Sequence, residues 1–563
     1  MSKTARLEMN RRKFLHFFSA VGLGSTMLPG TLTAVAQDKD EITVEMVETA
    51  EKLAGLSFPP EMRERFAREL TGLRDTYKEI SDMNMDSTVA PCIVFNPMPS
   101  GAEEIEPERR PVVTSSIKIS RPVSDDELAF LPVTHMSQLI KTQKITATEL
   151  TNIYITRLKK YNPILNCAIT ITEKLAETQA LKADEEIAAG NYRGPLHGIP
   201  YGLKDLIAVK GYKTTWGAEP YKDQIVNVDA TVFKRLTKAG AIHIAKLATG
   251  ALASASSYWF GGETKNPWNT EQGAGGSSGG PGSATAAGLV GFSLGTETQG
   301  SIIGPSSRCG ITGFRPTFGL VSKYGVMPLS WTMDKVGPMC RSAEDCAIVL
   351  NSIYGPDGYD MSVTDREFNW DPNLDIRRLN VVYVEPVTGE SRRGNSEASI
   401  KLFNDSLDVI RSLGVDLKKF SMPESVSGKN LGFILHTEGA AMFDHIIRDS
   451  SIDTMKHNSG RPYRFRARRF VPGSEYINAN RARTVLMQEM YKALKGIDII
   501  IGGSTGSTNH TGHPAMTLVN GFTDGMPSSM RIQGNLYKDA EMLALARAYQ
   551  SATGFHLKHP ALP

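Results

Sequence analysis

The stretch GAGGSSGGPGSATAAGLVGFSLGTETQGSIIGPSSRCG, Gly273 to Gly310, decides how this chain reads. It carries far more glycine and serine than a connecting loop needs, so the question is whether one of its serines is a nucleophile. Phosphate chemistry does not fit, because a P-loop ends in Gly-Lys-Ser/Thr and none is present. Dinucleotide binding does not fit either, because GAGGSSG lacks the third glycine of that fingerprint.

Outward from this stretch, short apolar runs alternate with helical periodicity. The segments 135–162 and 172–190 repeat apolar residues at three- and four-residue steps. GIPYGLKDLIAV (198–209), RLNVVYVE (378–385) and GIDIIIGGST (496–505) contain strands, and DATVFKRLTKAGAIHIAKL (229–247) continues the alternation. SIKLFNDSLDVIRSLG (399–414) and KDAEMLALARAYQSATGFH (538–556) read as helices. Such alternation predicts an α/β fold, a sheet covered by helices. The least regular region is 432–483, which holds the basic run RPYRFRARRF (461–470). That run reads as a solvated helical insertion, with a site for an anionic substrate or surface as the alternative.

The N-terminus is a separate matter. NRRKFLHFFSAVGLGSTMLPGTLTAVAQ (10–37) pairs Arg11 and Arg12 ahead of a short apolar stretch and the small-residue triplet Ala34-Val35-Ala36. This resembles a twin-arginine export signal cut near Ala36, which implies the twin-arginine export machinery as a partner and a periplasmic or secreted product. A membrane anchor is the alternative, but Phe14–Leu28 contains His16 and two glycines and falls short of the ~20 apolar residues of a span. Residues 37–122 read as an N-terminal helical extension and linker. Ile42, Met46, Val47, Ala50 and Leu53 mark one helix, SFPPEMRERFARELTGLRDTYKEI (57–80) starts another, and the proline-rich segment 95–111 is the linker. The main domain is then 123–563.

Composition bounds the function. The chain has 563 residues, 40% hydrophobic and 22% charged, as ordinary globular proteins do. Its first 36 residues carry five basic side chains and one acidic one, so cleavage takes the formal charge from +3 to −1. That removes any global argument for a nucleic-acid partner. Five cysteines, Cys92, Cys167, Cys309, Cys340 and Cys346, show no metal or redox spacing and read as buried thiols. No HExxH or His/Cys cluster occurs, so neither a metal nor another cofactor is expected.

Gly275-Gly276-Ser277-Ser278-Gly279 matches G-x-S-x-G, the nucleophile elbow of α/β-hydrolases. That reading needs a downstream acid and histidine, and His510, His513 and His556 keep it open on spacing alone. A longer pattern competes with it. LHGIPYGLKDLIAVKG (196–211) with Lys204, GGETKNPWNTEQGAGGSSGG (261–280) with Ser277, and GTETQGSIIGPSSRCGITGFRPTFGLVS (295–322) with Ser301 follow in order. From about Leu128 to the C-terminus the chain resembles the amidase signature family. The resemblance implies a large mixed, twisted β-sheet sandwiched between α-helices and a Ser-Ser-Lys triad that needs no cofactor.

Carried over residue by residue, Ser301 is the nucleophile, Ser277 relays its proton and Lys204 is the base. Gly276 precedes Ser277 across a cis peptide bond, with Ser278 beside it. The backbone N–H groups of Thr298, Gln299 and Gly300, with that of Ser301, would form the oxyanion hole. A lysine acts as a base only when neutral, which asks burial to lower its pKa by about three units. Asp205 follows Lys204, but neighbours on an extended chain point to opposite faces. The sequence departs from the usual family form at Gln299, Ile303 and Pro281, which leaves the triad intact and the amide unspecified. His510 and His513 lie in STNHTGHPAMTLVNGF (507–522), where Pro514, Met516 and Leu518 are expected to wall an acyl pocket. The implied substrate is a small carboxamide. An esterase or peptide amidase on the same triad, a component of an amidotransferase working with protein and tRNA, and a non-catalytic binding protein are the other readings. The sequence also leaves a homodimer open.

Overall fold

The computed structural model describes residues 41–54, 56–83, 114–115, 117–386, 396–423, 430–457 and 459–562. The export signal, Cys92 and the linker 95–111 lie outside these residues. Eleven strands form one sheet: β1 Ala168–Ile171, β2 Pro200–Lys204, β3 Ile242–Leu247, β4 Phe292–Glu297, β5 Thr312–Arg315, β6 Lys335–Cys340, β7 Val381–Tyr383, β8 Leu417–Lys419, β9 Ile499–Ile501, β10 Ala515–Thr523 and β11 Met526–Gly534. Their order is β1-β3-β2-β4-β6-β5-β10-β11-β9-β7-β8. The sheet is mixed: β2 runs parallel to both β3 and β4, whereas β4, β6, β5, β10, β11 and β9 pair antiparallel in turn. This is the large mixed α/β architecture expected from the sequence.

Burial explains the composition of the central strands. Every residue of β2, β3, β4 and β6 is buried, so these strands show no polar solvent face, and their polar members Lys204, Lys246, Glu297 and Lys335 are buried with the rest. Glycine appears in them where the backbones crowd. A Cβ on Gly337 of β6 would stand 2.1 Å from Phe314 O of β5, closer than any side-chain carbon can approach. Helix Gly279–Ala286 is buried at every position and carries Pro281 in its first turn, which tolerates a missing N–H. Helix Ile303–Cys309 ends on Gly310 with φ 67°, the left-handed position that glycine fills readily.

A second apolar cluster joins the first two described helices, Val44–Ala54 and Arg63–Asp82, to the segment 431–494. Val47, Phe58 and Phe66 meet Leu329, Phe443 and Phe465 there. The segment with the least regular sequence is mostly helical: Phe433–Met442, Asp444–Arg448, Arg461–Arg468 and Gly473–Ala493. The expectation of a solvated basic run is overturned. Arg461 and Arg466 are 5% and 0% exposed, and Phe465 between them is fully buried. Arg466 meets both oxygens of Asp453 at 2.6 Å and lies 5.3 Å over the Phe58 ring. Arginines that are paired and stacked inside a helical layer look, in sequence, like a charged surface. Among the described residues, no helix is long and apolar enough to cross a membrane. Cys167, Cys309, Cys340 and Cys346 are buried free thiols.

Candidate active site

Lys204 closes β2, where the parallel neighbours β3 and β4 shut out solvent, and its side chain is fully buried. Its Nζ lies 2.7 Å from Ser277 Oγ, 2.8 Å from Thr296 Oγ1 and 3.3 Å from Thr296 O. None of these partners is a carboxylate. The adjacent Asp205 faces away, as an extended chain requires, and pairs with Lys246 of β3 at 2.7 Å. Burial therefore pushes the Lys204 ammonium down to about 7, against the pull of the Asp334 and Glu297 charges.

Ser277 follows a cis peptide bond from Gly276. Space dictates the glycine, since a Cβ there would stand 2.1 Å from Ser256 O. The Ser277 carbonyl accepts from Gly250 N–H at 3.0 Å. Ser278 turns inward, its Oγ donating to Thr296 O at 3.1 Å, while its N–H donates to the Ser301 carbonyl at 3.2 Å. The two serine segments are thus tied to each other and to β4. Ser301 is 7% exposed. Its hydroxyl makes no hydrogen bond among the described residues, and no histidine bonds to either serine.

Thr298, Gln299 and Gly300 form the turn between β4 and helix Ile303–Cys309. Gln299 is exposed, and Gly300 has φ 85°. Two residues that sequence reasoning passed over hold this turn. Glu297 Oε2 accepts from the backbone of Ile302 and Ile303 at 2.8 and 3.0 Å, and Oε1 meets Arg315 Nη1 at 2.7 Å. Burial raises the Glu297 carboxyl, but Arg315, Lys335 and those two amides overrule it and bring it to about 2. Arg315 in turn donates to Thr508 Oγ1 and His513 O at 3.1 and 2.8 Å. An acidic residue closing an apolar strand was the available signal, because a buried carboxylate needs a buried cation. The Thr298 hydroxyl donates to Asp334, whose other oxygen takes Leu329 and Ser330 N–H at 2.7 and 2.9 Å. Lys335 Nζ lies 3.1 Å from Asn509 Oδ1 and 3.4 Å from Thr298 O. Burial first, and the Arg315 charge second, hold Lys335 well below the usual lysine range.

A cavity of about 780 Å³ opens beside this turn. It reaches the centre at Thr296, Asp334 and Lys335, while Ser277 and Ser301 are not among its lining residues. Its apolar wall includes Phe318, Tyr324, Met327, Trp331 and Met487. The charged groups on its wall are already engaged. Glu438 takes Ser330, Thr332 and Tyr476, and Arg483 holds the Thr332 carbonyl at 2.7 Å. His510 lines this cavity but His513 does not, and Pro514, Met516 and Leu518 are absent from its wall. Met516 and Leu518 belong to the main core instead, because β10 lies between β5 and β11 in the middle of the sheet. The expected acyl-pocket wall is corrected accordingly.

Comparison with known proteins places this arrangement. Residues 149–508 match the amidase family. Over 470 residues the chain is 30% identical to a glutamyl-tRNA(Gln) amidotransferase subunit of Roseiflexus sp. (strain RS-1), covering 75% of this chain and 96% of that one. The native peptide amidase of Stenotrophomonas maltophilia superposes with a TM-score of 0.68 at 24% identity, over 77% of this chain and 98% of that one. A bacterial aryl acylamidase superposes with a TM-score of 0.66 at 20% identity, over 77% and 99%.

Proposed function

This chain belongs to the amidase family, hydrolases acting on carbon–nitrogen bonds, and from that premise we propose that it is a serine amidohydrolase with Ser301 as nucleophile. The observation that carries the reading is Lys204 Nζ at 2.7 Å from Ser277 Oγ, with hydroxyls and a carbonyl as its only hydrogen-bond partners among the described residues. A lysine held near 7 is substantially neutral at physiological pH and can accept a proton. Ser301 Oγ forms the new bond to the substrate carbonyl carbon. Its proton passes through Ser277 Oγ to Lys204, and the developing oxyanion is met by the N–H groups of the Thr298–Ser301 turn. The C–N bond then breaks, the proton goes to the leaving nitrogen, and ammonia or an amine departs. Water, activated by the same relay, cleaves the acyl-enzyme and releases the carboxylic acid. One oxyanion donor in such a turn is typically worth about 3 kcal/mol of transition-state stabilisation.

The substrate class we favour is a neutral aryl or alkyl carboxamide. The apolar wall of the cavity supports it, as does the prior engagement of Glu438 and Arg483. Glutamine would bring two charged groups that need partners once desolvated. A second reading has its own support: the relative from Roseiflexus is named as an amidotransferase subunit, and a chain of that kind would release ammonia to a partner. A panel of amides assayed for ammonia decides between them. Efficient hydrolysis of glutamine with no turnover of hydrophobic amides overturns the first reading. Reaction with a fluorophosphonate probe followed by peptide mapping tests the nucleophile: modification of Ser301 supports the triad, and modification of Ser277 supports the elbow.

We also propose that the protein is exported, on the strength of Arg11, Arg12 and the Ala34-Val35-Ala36 triplet. Replacing both arginines with lysine should strand the precursor in the cytoplasm, and the exported form should begin near Gln37. An uncleaved chain in the membrane fraction would favour the anchor.

A further inference from the structure

Ser277 is held from one side by the loop Gly250–Ser256. Gly250 donates to the Ser277 carbonyl, and Ser256 O stands where a Cβ on Gly276 would go. The shape of this loop depends on Leu252 and Ala253, whose φ angles of 49° and 55° lie in the left-handed region. Non-glycine residues seldom occupy that region, and two in succession persist only where their surroundings impose them. Two hydrogen bonds do so here. Leu252 N–H donates to Trp216 O at 2.9 Å, and Arg461 Nη2 donates to Ala253 O at 2.8 Å.

Arg461 is an unusual choice for that task. It is 5% exposed, and among the described residues its hydrogen-bond partners are a carbonyl and, at 3.4 Å, His436 Nδ1 rather than a carboxylate. A buried cation without an anionic partner is unfavourable by itself, so something must hold it in place. Arg461 opens the helix Arg461–Arg468, and that helix is braced by the N-terminal helices. Arg468 reaches Glu69 at 3.3 Å, Arg65 lies 4.2 Å over the Tyr463 ring, and Arg466 stacks over Phe58. The braced helix lies outside the glycine-serine blocks, and the N-terminal helices lie outside the family match at 149–508.

We propose that Arg461 is a positioning residue for the hydrolytic centre: it fixes the left-handed turn that seats Ser277, and the N-terminal helices fix Arg461. The proposal rests on the serine-amidase reading above. Its role is geometric, acting on Ser277 through Ala253 and Gly250, so it should govern acylation rather than substrate affinity.

The test uses the full chain, with Arg461→Met, Arg461→Lys and the double variant Arg461→Met/Ala253→Gly. Each is measured for fluorophosphonate labelling rate, kcat and KM on a hydrophobic amide, and Tm. Arg461→Met should slow labelling and lower kcat by about 10- to 100-fold, the scale of a small misplacement at a reacting centre, with KM little changed. Arg461→Lys should recover most of that loss by restoring a donor to Ala253 O. Ala253→Gly should shrink the loss, because glycine adopts the left-handed turn unaided. Wild-type labelling at Ser301 with an equal rate in Arg461→Met overturns this proposal alone, as does a variant whose only change is a lower Tm. If Arg461→Met does not fold, Arg461→Gln, whose side chain ends two bonds short of the Arg461 Nη2 that reaches Ala253 O, takes its place with the same expected loss, and a wild-type kcat and labelling rate in it overturn the proposal. Failure of the wild type to label at Ser301 overturns the reading beneath it.

Discussion

Lys204 and Lys246 stand on paired strands, with Leu203 opposite Lys246 and Lys204 opposite Leu247 in the register. Both are fully buried. Lys246 meets the Asp205 carboxylate at 2.7 Å and the Thr214 hydroxyl at 2.9 Å. Among the described residues, Lys204 hydrogen-bonds only to hydroxyls and a carbonyl. Burial depresses both amines, but in Lys246 the neighbouring carboxylate opposes it directly. Two lysines equally hidden from water are thereby given different work, one closing an ion pair and the other available to take a proton. Neither depth nor the lack of a carboxylate marks a catalytic lysine, since buried Lys335 also meets carbonyl and amide oxygens; what sets Lys204 apart is the Ser277 hydroxyl at 2.7 Å.

The largest effect should come from breaking the centre itself. Ser301→Ala should lower turnover by about 10⁴-fold or more, since members of a nucleophile-base unit fail together, and Lys204→Met should do nearly the same. Near-normal activity of Lys204→Met above neutral pH would remove lysine from the mechanism. Replacing any one histidine should leave a measurable rate.

Stability should separate the two lysines in the opposite sense. Lys246→Met strands the buried Asp205 carboxylate and should destabilise the fold by about 3–5 kcal/mol. Lys204→Met strands no charge and should leave stability at or above the wild-type value. Linkage adds a sign that can be checked. Between pH 7 and the unfolded lysine value of about 10.4, Lys204 is neutral in the folded chain and protonated in the unfolded one. The unfolded state then binds the extra proton, so wild-type stability rises with pH across that window, by up to about 1.4 kcal/mol per unit. Lys204→Met lacks this contribution, so wild type should gain on it between pH 7 and 9 in urea titrations. Equal destabilisation by both substitutions would refute the contrast.

The contrast also shows what sequence can and cannot convey. Lys204, Ser277 and the TETQGS turn are legible because each lies in a contiguous glycine-bearing block, with Gly276 where a backbone oxygen leaves no room for a Cβ and Gly300 where the turn takes a positive φ. Glu297 stands in plain view in that turn, but its meaning depends on Arg315 from β5 arriving beside it. The buried arginines of 461–468 read as solvated because their compensation comes from Asp453, Glu69 and Phe58, distant in the chain. Met516 and Leu518 invite placement on a pocket wall because apolarity does not say which face of a strand meets a cavity. The alternating strands and helices of the main domain show through in the sequence, whereas the short helices between 433 and 468 break the apolar periodicity on which such reading depends.

The pH profile should give the next effect in size. If Lys204 is the base, kcat/KM should fall about tenfold per unit below a midpoint near 7 and level off above it. A flat profile from pH 5 to 8 would mean that the proton goes elsewhere. Thr298→Val tests the turn with less damage to the chemistry. It removes the hydroxyl bonded to Asp334 and leaves a buried carboxyl short of one donor, whose loss is worth about 1–3 kcal/mol. Turnover and stability should fall together, and an unchanged Tm would show that Asp334 does not anchor the turn through Thr298.

The smallest effect should lie one residue further on. Gln299 stands where the usual form of this turn has glycine, and its side chain is exposed while its neighbours Thr298 and Ser301 are buried. The proposed donor at this position is the backbone N–H, which any residue but proline supplies. Glu297 fixes the exit of the turn through Ile302 and Ile303, and Asp334 fixes its entry through Thr298. The backbone of Gln299 is therefore set from both sides without help from its own amide. Gln299→Ala should change kcat by less than about threefold, within the usual range of an exposed substitution of about 0.5 kcal/mol. Gln299→Pro, which removes the N–H, should instead lose activity on the scale of an oxyanion donor, about 10²–10³-fold. A large loss in the alanine variant would move the side chain itself into contact with the substrate and make Gln299 a determinant of which amide is cleaved.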